Sequence, residues 1–118
     1  MKFGYITIMI RDMEKSVAFY EKAAELQVVR RFCPPIGEIV FMSGGDGATM
    51  LEFIQSNQLE KVETKGLVMS FAVDGSLEEK RSQLEALGFS PSPVIEMPPK
   101  PRHFTLTDPD GICIEITE

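Results

Sequence analysis

The chain has 118 residues, with 18 Asp and Glu against 12 Lys and Arg and a single His, giving a formal charge of −6 at pH 7. Its 43% apolar and 25% charged residues are ordinary globular values. They exclude a disordered chain or a fibre, and the length leaves room for one domain or two small modules, not for separate catalytic and regulatory domains. With no basic run longer than Arg30-Arg31, the acid excess leaves no electrostatic footprint for nucleic acid or an anionic membrane and favours neutral or cationic partners.

The uncharged apolar runs at 5–10 and 66–73 are under half of the roughly 20 residues a membrane-spanning helix requires. Met1-Lys2 leads into a short run closed by Arg11-Asp12, which does not fit a signal peptide. Cys33 and Cys113 form no CxxC pattern. They read as reduced thiols of a cytoplasmic protein, used as small buried hydrophobes.

In chain order, Ile6, Ile8 and Ile10 alternate in a run rich in β-branched and aromatic residues, which predicts a strand with one face on a helix. Asp12 is a candidate N-cap, and Val17, Tyr20 and Ala24 follow at helical spacing, so a helix is expected over about 13–25. Short strands are expected at 27–32, 38–43 and 48–55, separated by Pro34-Pro35 and by the turn sequence Gly44-Gly45-Asp46-Gly47. The same order then recurs. Leu67, Met69, Phe71 and Val73 alternate, Ser76-Leu77-Glu78-Glu79 is a capping box, Leu77, Leu84 and Leu87 form a helical stripe, and Gly88 stands as the stop. Five of the eight prolines fall at 91, 93, 98, 99 and 101, predicting a stiff extended loop over 90–101, either a connector or a rim over a cavity.

Spacing supports an internal repeat. Pro34-Pro35 and Pro98-Pro99 are offset by 64, Asp46-Gly47 and Asp110-Gly111 by 64, Asp12 and Asp74 by 62, and Glu52 and Glu115 by 63. Each half reads β-α-β-β-β. A module of this size buries only about 60% of its unfolded surface, so the expectation is a single domain over 1–118, with modules at 1–55 and 66–118 and a linker at 56–65.

Two segments carry a family resemblance. Asp12-Met13-Glu14-Lys15-Ser16-Val17-Ala18-Phe19-Tyr20 closely resembles the D-L-E-K-S-x-x-F-Y segment of the vicinal oxygen chelate superfamily. Asp108-Pro109-Asp110-Gly111-Ile112-Cys113-Ile114-Glu115-Ile116 resembles its D-P-D-G-N-x-I-E-L segment. That superfamily includes glyoxalase I, extradiol dioxygenases, fosfomycin-resistance enzymes and bleomycin-binding resistance proteins. The resemblance implies an α+β fold of two βαβββ modules whose curled mixed sheets surround a cavity, commonly in a homodimer. In metal-dependent members each module supplies one ligand from its first strand and one Glu from its last.

Carried over residue by residue, the last-strand positions are Glu52 and Glu115, both acids, whereas the first-strand positions hold Tyr5 and Val68. Val coordinates nothing, and a neutral phenol is a poor ligand for a divalent ion. Two carboxylates alone hold a divalent ion only weakly. No cofactor is therefore expected, a weak or divergent divalent site using Glu52 and Glu115 being the alternative.

Strand alternation places Tyr5, Thr7, Met9, Met50 and Glu52 on one face of the first module, and Val68, Ser70, Cys113 and Glu115 on one face of the second. These nine residues are the candidate ligand contacts of a Met-lined pocket with a few hydroxyls and two acids. Glu52 and Glu115, the only candidates for catalysis, read either as structural acids or as groups for cation recognition, acid/base work or weak metal binding. His103 matches no ligand position of the family and reads as structural or solvent-facing, with ligand contact as the alternative. Arg102 reads as a surface residue, or as a contact for an anionic ligand group. The function expected is a metal-free, cytoplasmic, homodimeric small-molecule-binding protein resembling the bleomycin-resistance branch. The alternatives are a glyoxalase-type lyase or isomerase and a dimeric scaffold without a ligand.

Overall fold

A computed structural model describes all 118 residues. The chain divides into two compact units, Met1–Glu63 and Thr64–Glu118. The first unit contains β1 (Tyr5–Met9), α1 (Met13–Ala23), β2 (Gln27–Phe32), β3 (Glu38–Ser43) and β4 (Met50–Gln55). The second contains β5 (Val68–Ala72), α2 (Leu77–Ala86), β6 (Ile95–Met97), β7 (Lys100–Thr107) and β8 (Cys113–Thr117). Each unit is thus one βαβββ module with a four-stranded mixed sheet. The strand orders are β1-β4-β3-β2 and β5-β8-β7-β6, and the first and last strands of each module run parallel.

In the first unit, Asp12 caps α1 by accepting from the Lys15 amide at 3.1 Å. The helix buries Met13, Val17, Phe19, Tyr20 and Ala23, one residue short of the expected stripe, because Ala24 is already the C-cap. Glu25 then takes φ 55°, a left-handed position more often filled by glycine. Ile8, Val40, Met42, Leu51 and Phe53 are buried on one face of the sheet. Tyr20 and Phe53 rings meet there at 5.2 Å between centroids. The opposite face carries Tyr5, Thr7, Met50 and Glu52, none of them fully buried.

The β2–β3 turn depends on one glycine. Gly37 has φ 151°, and a Cβ built there would stand 2.1 Å from the Gln55 carbonyl oxygen. No side chain fits against the neighbouring strand at this point.

In the second unit, Ser76 caps α2 by accepting from the Glu79 amide at 3.2 Å, as the capping box predicts. Leu77 and Leu84 are buried, but the third stripe position is Lys80, and Leu87 is 54% exposed. Leu87 is itself the C-cap, where the helix ends and Gly88 turns the chain away with φ 95°. The helix-facing side of the sheet buries Met69, Phe104, Leu106, Ile114 and Ile116.

The proline-rich segment is only partly a loop. Residues 95–97 and 100–107 are strands, joined by a tight turn, and the β6–β7 ladder shifts register between Ile95 and Met97. Pro101 sits beside that irregularity, where a missing amide is tolerated. The Asp108-Pro109-Asp110-Gly111 sequence is a locked turn: Asp108 Oδ1 accepts from the amides of Asp110 and Ile112, each at 2.8 Å. The two thiols are free, yet Cys33 is exposed and Cys113 half-buried. The expectation of two buried cysteines fails because Cys33 directly follows the edge strand β2, whose six residues are all exposed.

Candidate functional site

The parallel strand pair at the start and end of each module fixes two matched constellations. Across β1 and β4, Tyr5 is opposite Met50 and Thr7 is opposite Glu52. Across β5 and β8, Val68 is opposite Cys113 and Ser70 is opposite Glu115. Within each unit these side chains share one face, because alternate residues of a strand point the same way. Met9 lies on the same face of the first unit, opposite Ile54. The sequence expectation therefore groups correctly within each module.

In the first unit, the Thr7 hydroxyl donates to Glu52 Oε1 at 2.5 Å, and Glu52 has no ion-pair partner. Phe41 of β3 stands opposite Glu52 on its other side. Its ring meets Tyr5 edge-on at 5.3 Å and stacks near Phe32 at 6.4 Å between centroids. The guanidinium of Arg30 covers the Phe32 ring at 5.4 Å. Tyr5 is 52% exposed. This is an open aromatic surface with one half-buried carboxylate.

The second unit repeats the hydroxyl-to-carboxylate bond but surrounds it differently. Ser70 Oγ donates to Glu115 Oε1 at 2.5 Å, and Lys100 Nζ donates to Glu115 Oε2 at 2.8 Å. His103 Nε2 lies 3.7 Å from the same oxygen. Its Nδ1 is 2.9 Å from the Pro101 carbonyl, which can only accept, so Nδ1 carries a hydrogen and Nε2 faces the acid. Burial pushes the Glu115 carboxyl up, but the Lys100 ammonium and the Ser70 hydroxyl, with a smaller pull from His103, hold it below the usual carboxylate range.

Neither Lys100 nor this role of His103 is among the residues singled out from sequence. His103 is buried, and the antiparallel register sets it opposite Thr117, two residues from Glu115 on the same face. The signal available in the sequence was the odd-numbered parity of 103 and 105 against 115 and 117, which becomes usable only once β7 and β8 are known to pair. Arg102 points elsewhere. Its guanidinium is bound by Glu78, Glu96 and Glu118, of which Glu78 and then Glu118 raise its already high pKa, and the three acids leave it no role with a ligand anion.

The donor set differs from the divalent centre that the family resemblance implies. No three His, Cys, Asp or Glu side chains converge anywhere in the chain. Glu115 already has an ammonium on Oε2 and a hydroxyl on Oε1, and Tyr5 and Val68 stand where first-strand ligands are needed. These residues do not fit such a centre. A depression of about 630 Å³ lies at the end of the first sheet, and Glu52 is not among the residues that line it. It is bordered by Lys2, Glu25, Gln27 and Asp46 and shares only Met50 with the residues expected to line a site. No helix of the chain is long and apolar enough to cross a membrane.

Comparison with solved structures finds the same fold over the whole chain. TnmS3, an antibiotic binding protein from Streptomyces sp. CB03234, superposes with a TM-score of 0.80 at 17% identity, covering 99% of this chain and 94% of that one. A superfamily member from Sphaerobacter thermophilus DSM 20745 gives 0.79 at 21% identity, covering 100% and 97%. Lactoylglutathione lyase from Agrobacterium tumefaciens gives 0.72 at 21% identity, covering 98% and 91%. No match is found among curated proteins. The paired βαβββ modules, the locked Asp-Pro-Asp-Gly turn and the two last-strand acids agree with a family model matching residues 2–116, and the chain belongs to the Glyoxalase/Bleomycin resistance protein/Dioxygenase superfamily.

Proposed function

We propose that this chain is a metal-independent small-molecule-binding protein of the glyoxalase/bleomycin-resistance type. The observation that carries the reading is the 2.8 Å contact from Lys100 Nζ to Glu115 Oε2. An ammonium stands on the carboxylate that metal-dependent relatives would offer to an ion, and a divalent cation placed there would be repelled. The solved neighbours include an antibiotic binding protein and a lyase. The fold therefore serves both binding and catalysis, and the choice rests on this chain's own site residues.

The ligand is a small organic molecule, contacted by Tyr5, Thr7, Met9, Met50 and Glu52 in one module and Val68, Ser70, Cys113 and Glu115 in the other. Tyr5 and Val68, 52% and 49% exposed, are apolar groups that a bound ligand and a second copy of the chain would cover. The active form is accordingly a cytoplasmic homodimer whose pairing completes the binding cavity, with neither nucleic acid nor membrane as partner.

Metal analysis of protein purified without chelator, followed by titration with Zn²⁺, Ni²⁺ and Mn²⁺, tests the metal-independent part. No ion held tightly at one per chain is the expected result, and one that is so held overturns it. A thermal-shift screen of soluble aromatic and aliphatic compounds tests binding, since a ligand selective for the folded state raises the midpoint with the logarithm of its concentration once that exceeds the dissociation constant.

A further inference from the structure

The two register-equivalent carboxylates differ in charge environment. Thr7 to Glu52 and Ser70 to Glu115 are the same bond at the same ladder position. Glu115, however, has a resident cation in Lys100, while Glu52 has only its hydroxyl. A half-buried carboxylate without a counter-ion attracts a cation more strongly than one in water, because the field around it is less screened.

The chemistry around Glu52 is also that of an organic cation's partner. Phe41 is directly opposite on the neighbouring strand, a separation of about 5 Å between Cβ atoms. Tyr5, opposite Met50, is one diagonal step away, about 7–8 Å. Ring faces draw in cations whose charge is spread and weakly hydrated. The same surface already holds one such contact, the Arg30 guanidinium over Phe32. That contact lies on Phe32, which stacks near Phe41, while Tyr5, edge-on to Phe41, is the exposed ring of the pair.

Resting on the binding function proposed above, we infer that the site takes a ligand with an alkylammonium group and seats that group on the first module only. It lies between Glu52 and the Tyr5–Phe41 pair, while Lys100 closes the equivalent place at Glu115. Lys100 holds that acid, and Val68 and Thr105 stand there in place of the two rings.

The test uses the full-length chain, choline as the probe and 3,3-dimethylbutan-1-ol as its uncharged counterpart of nearly equal shape. Binding is followed by chemical-shift titration in low salt. Saturable binding of choline is expected, at least tenfold tighter than the alcohol and weakened by added NaCl. Glu52→Gln, which keeps an acceptor for Thr7, should weaken it at least tenfold, and Glu14→Gln, at an exposed acid of α1, should leave it within twofold. One choline per chain is expected, because Val68 and Thr105 stand at Glu115 where Tyr5 and Phe41 stand at Glu52. Equal affinity for the alcohol, equal loss in both Gln variants, or two cholines bound per chain would each overturn the inference. If neutral compounds bind with no preference for charge, this inference fails while the binding function stands. If no small molecule of any kind binds, both fail.

Discussion

Lys100 Nζ meets Glu115 Oε2 at 2.8 Å, with the lysine half-exposed and the glutamate 5% exposed. The carboxyl is held below its ordinary range in the folded state. Its contribution to stability is therefore fully present above the unfolded carboxylate pKa, about 4.3, and is lost as pH falls through the lower folded value. Lys100→Met should move the Glu115 titration upward, visible as a shift of its side-chain ¹³C carboxyl signal, and bring acid unfolding to a higher pH. The loss at neutral pH should be about 1–2 kcal/mol, between the values for exposed and buried pairs because one partner is wetted. A Glu115 titration indifferent to the substitution would contradict the pairing.

Arg102, on β7, ties together α2, β6 and the segment after β8 through Glu78, Glu96 and Glu118. Arg102→Ala should lower the thermal midpoint, with the deficit shrinking in high salt. Arg102→Lys should recover only part of it, since a single ammonium cannot serve three carboxylates as a planar fork does. Full recovery by lysine would mean that charge alone, without fork geometry, explains the cluster.

Gly37→Ala should cost about 2 kcal/mol or more, measured by urea unfolding. Its methyl would be forced onto the Gln55 carbonyl, which belongs to the backbone and cannot turn aside. Gly45→Ala, with open space around the added atom, is the comparison, and its cost reports backbone conformation alone.

Asp108→Ala should cost about 1–3 kcal/mol by leaving two turn amides without their acceptor. Asp108→Asn, which keeps one carbonyl oxygen, should be milder. Faster hydrogen exchange confined to Asp110 and Ile112 would locate the defect, and unaltered exchange there would refute it.

Cys33 should react with a small maleimide within the native protein, and Cys113 should lag behind it. The order follows from exposure of the first and half-burial of the second. Peptide mass mapping of partly labelled protein reads the order directly, and a faster Cys113 would contradict the accessibility described above.

Much of the architecture is written locally. Asp12 and Ser76 announce their helices, Gly88 ends the second, and strand parity alone groups Thr7 with Glu52 and Ser70 with Glu115. What parity does not provide is the partner strand. Lys100 and His103 reach Glu115 only through the β7–β8 pairing, and the prolines around 98–101 masked the start of β7 by imitating a loop. Leu87 misleads for the opposite reason. It keeps helical spacing, but the helix ends beneath it, so an apolar residue is left in water while the aliphatic stem of Lys80 takes the buried position.

The two modules differ in loop length yet agree at every position of the paired first and last strands. The offset is 64 at the helix caps Asp12 and Ser76 and at the proline and Asp-Gly turns, but 63 for Tyr5 and Val68, Thr7 and Ser70, Met50 and Cys113, and Glu52 and Glu115. Residues gained in one connection have been removed in another before the chain re-enters β8. A strand tolerates no odd remainder, because a slip of one residue would turn Glu115 into the helix-facing core and Ile114 out of it. Insertions and deletions in this fold should therefore be accepted in the turns singly, and retained only where the parity of the last strand survives.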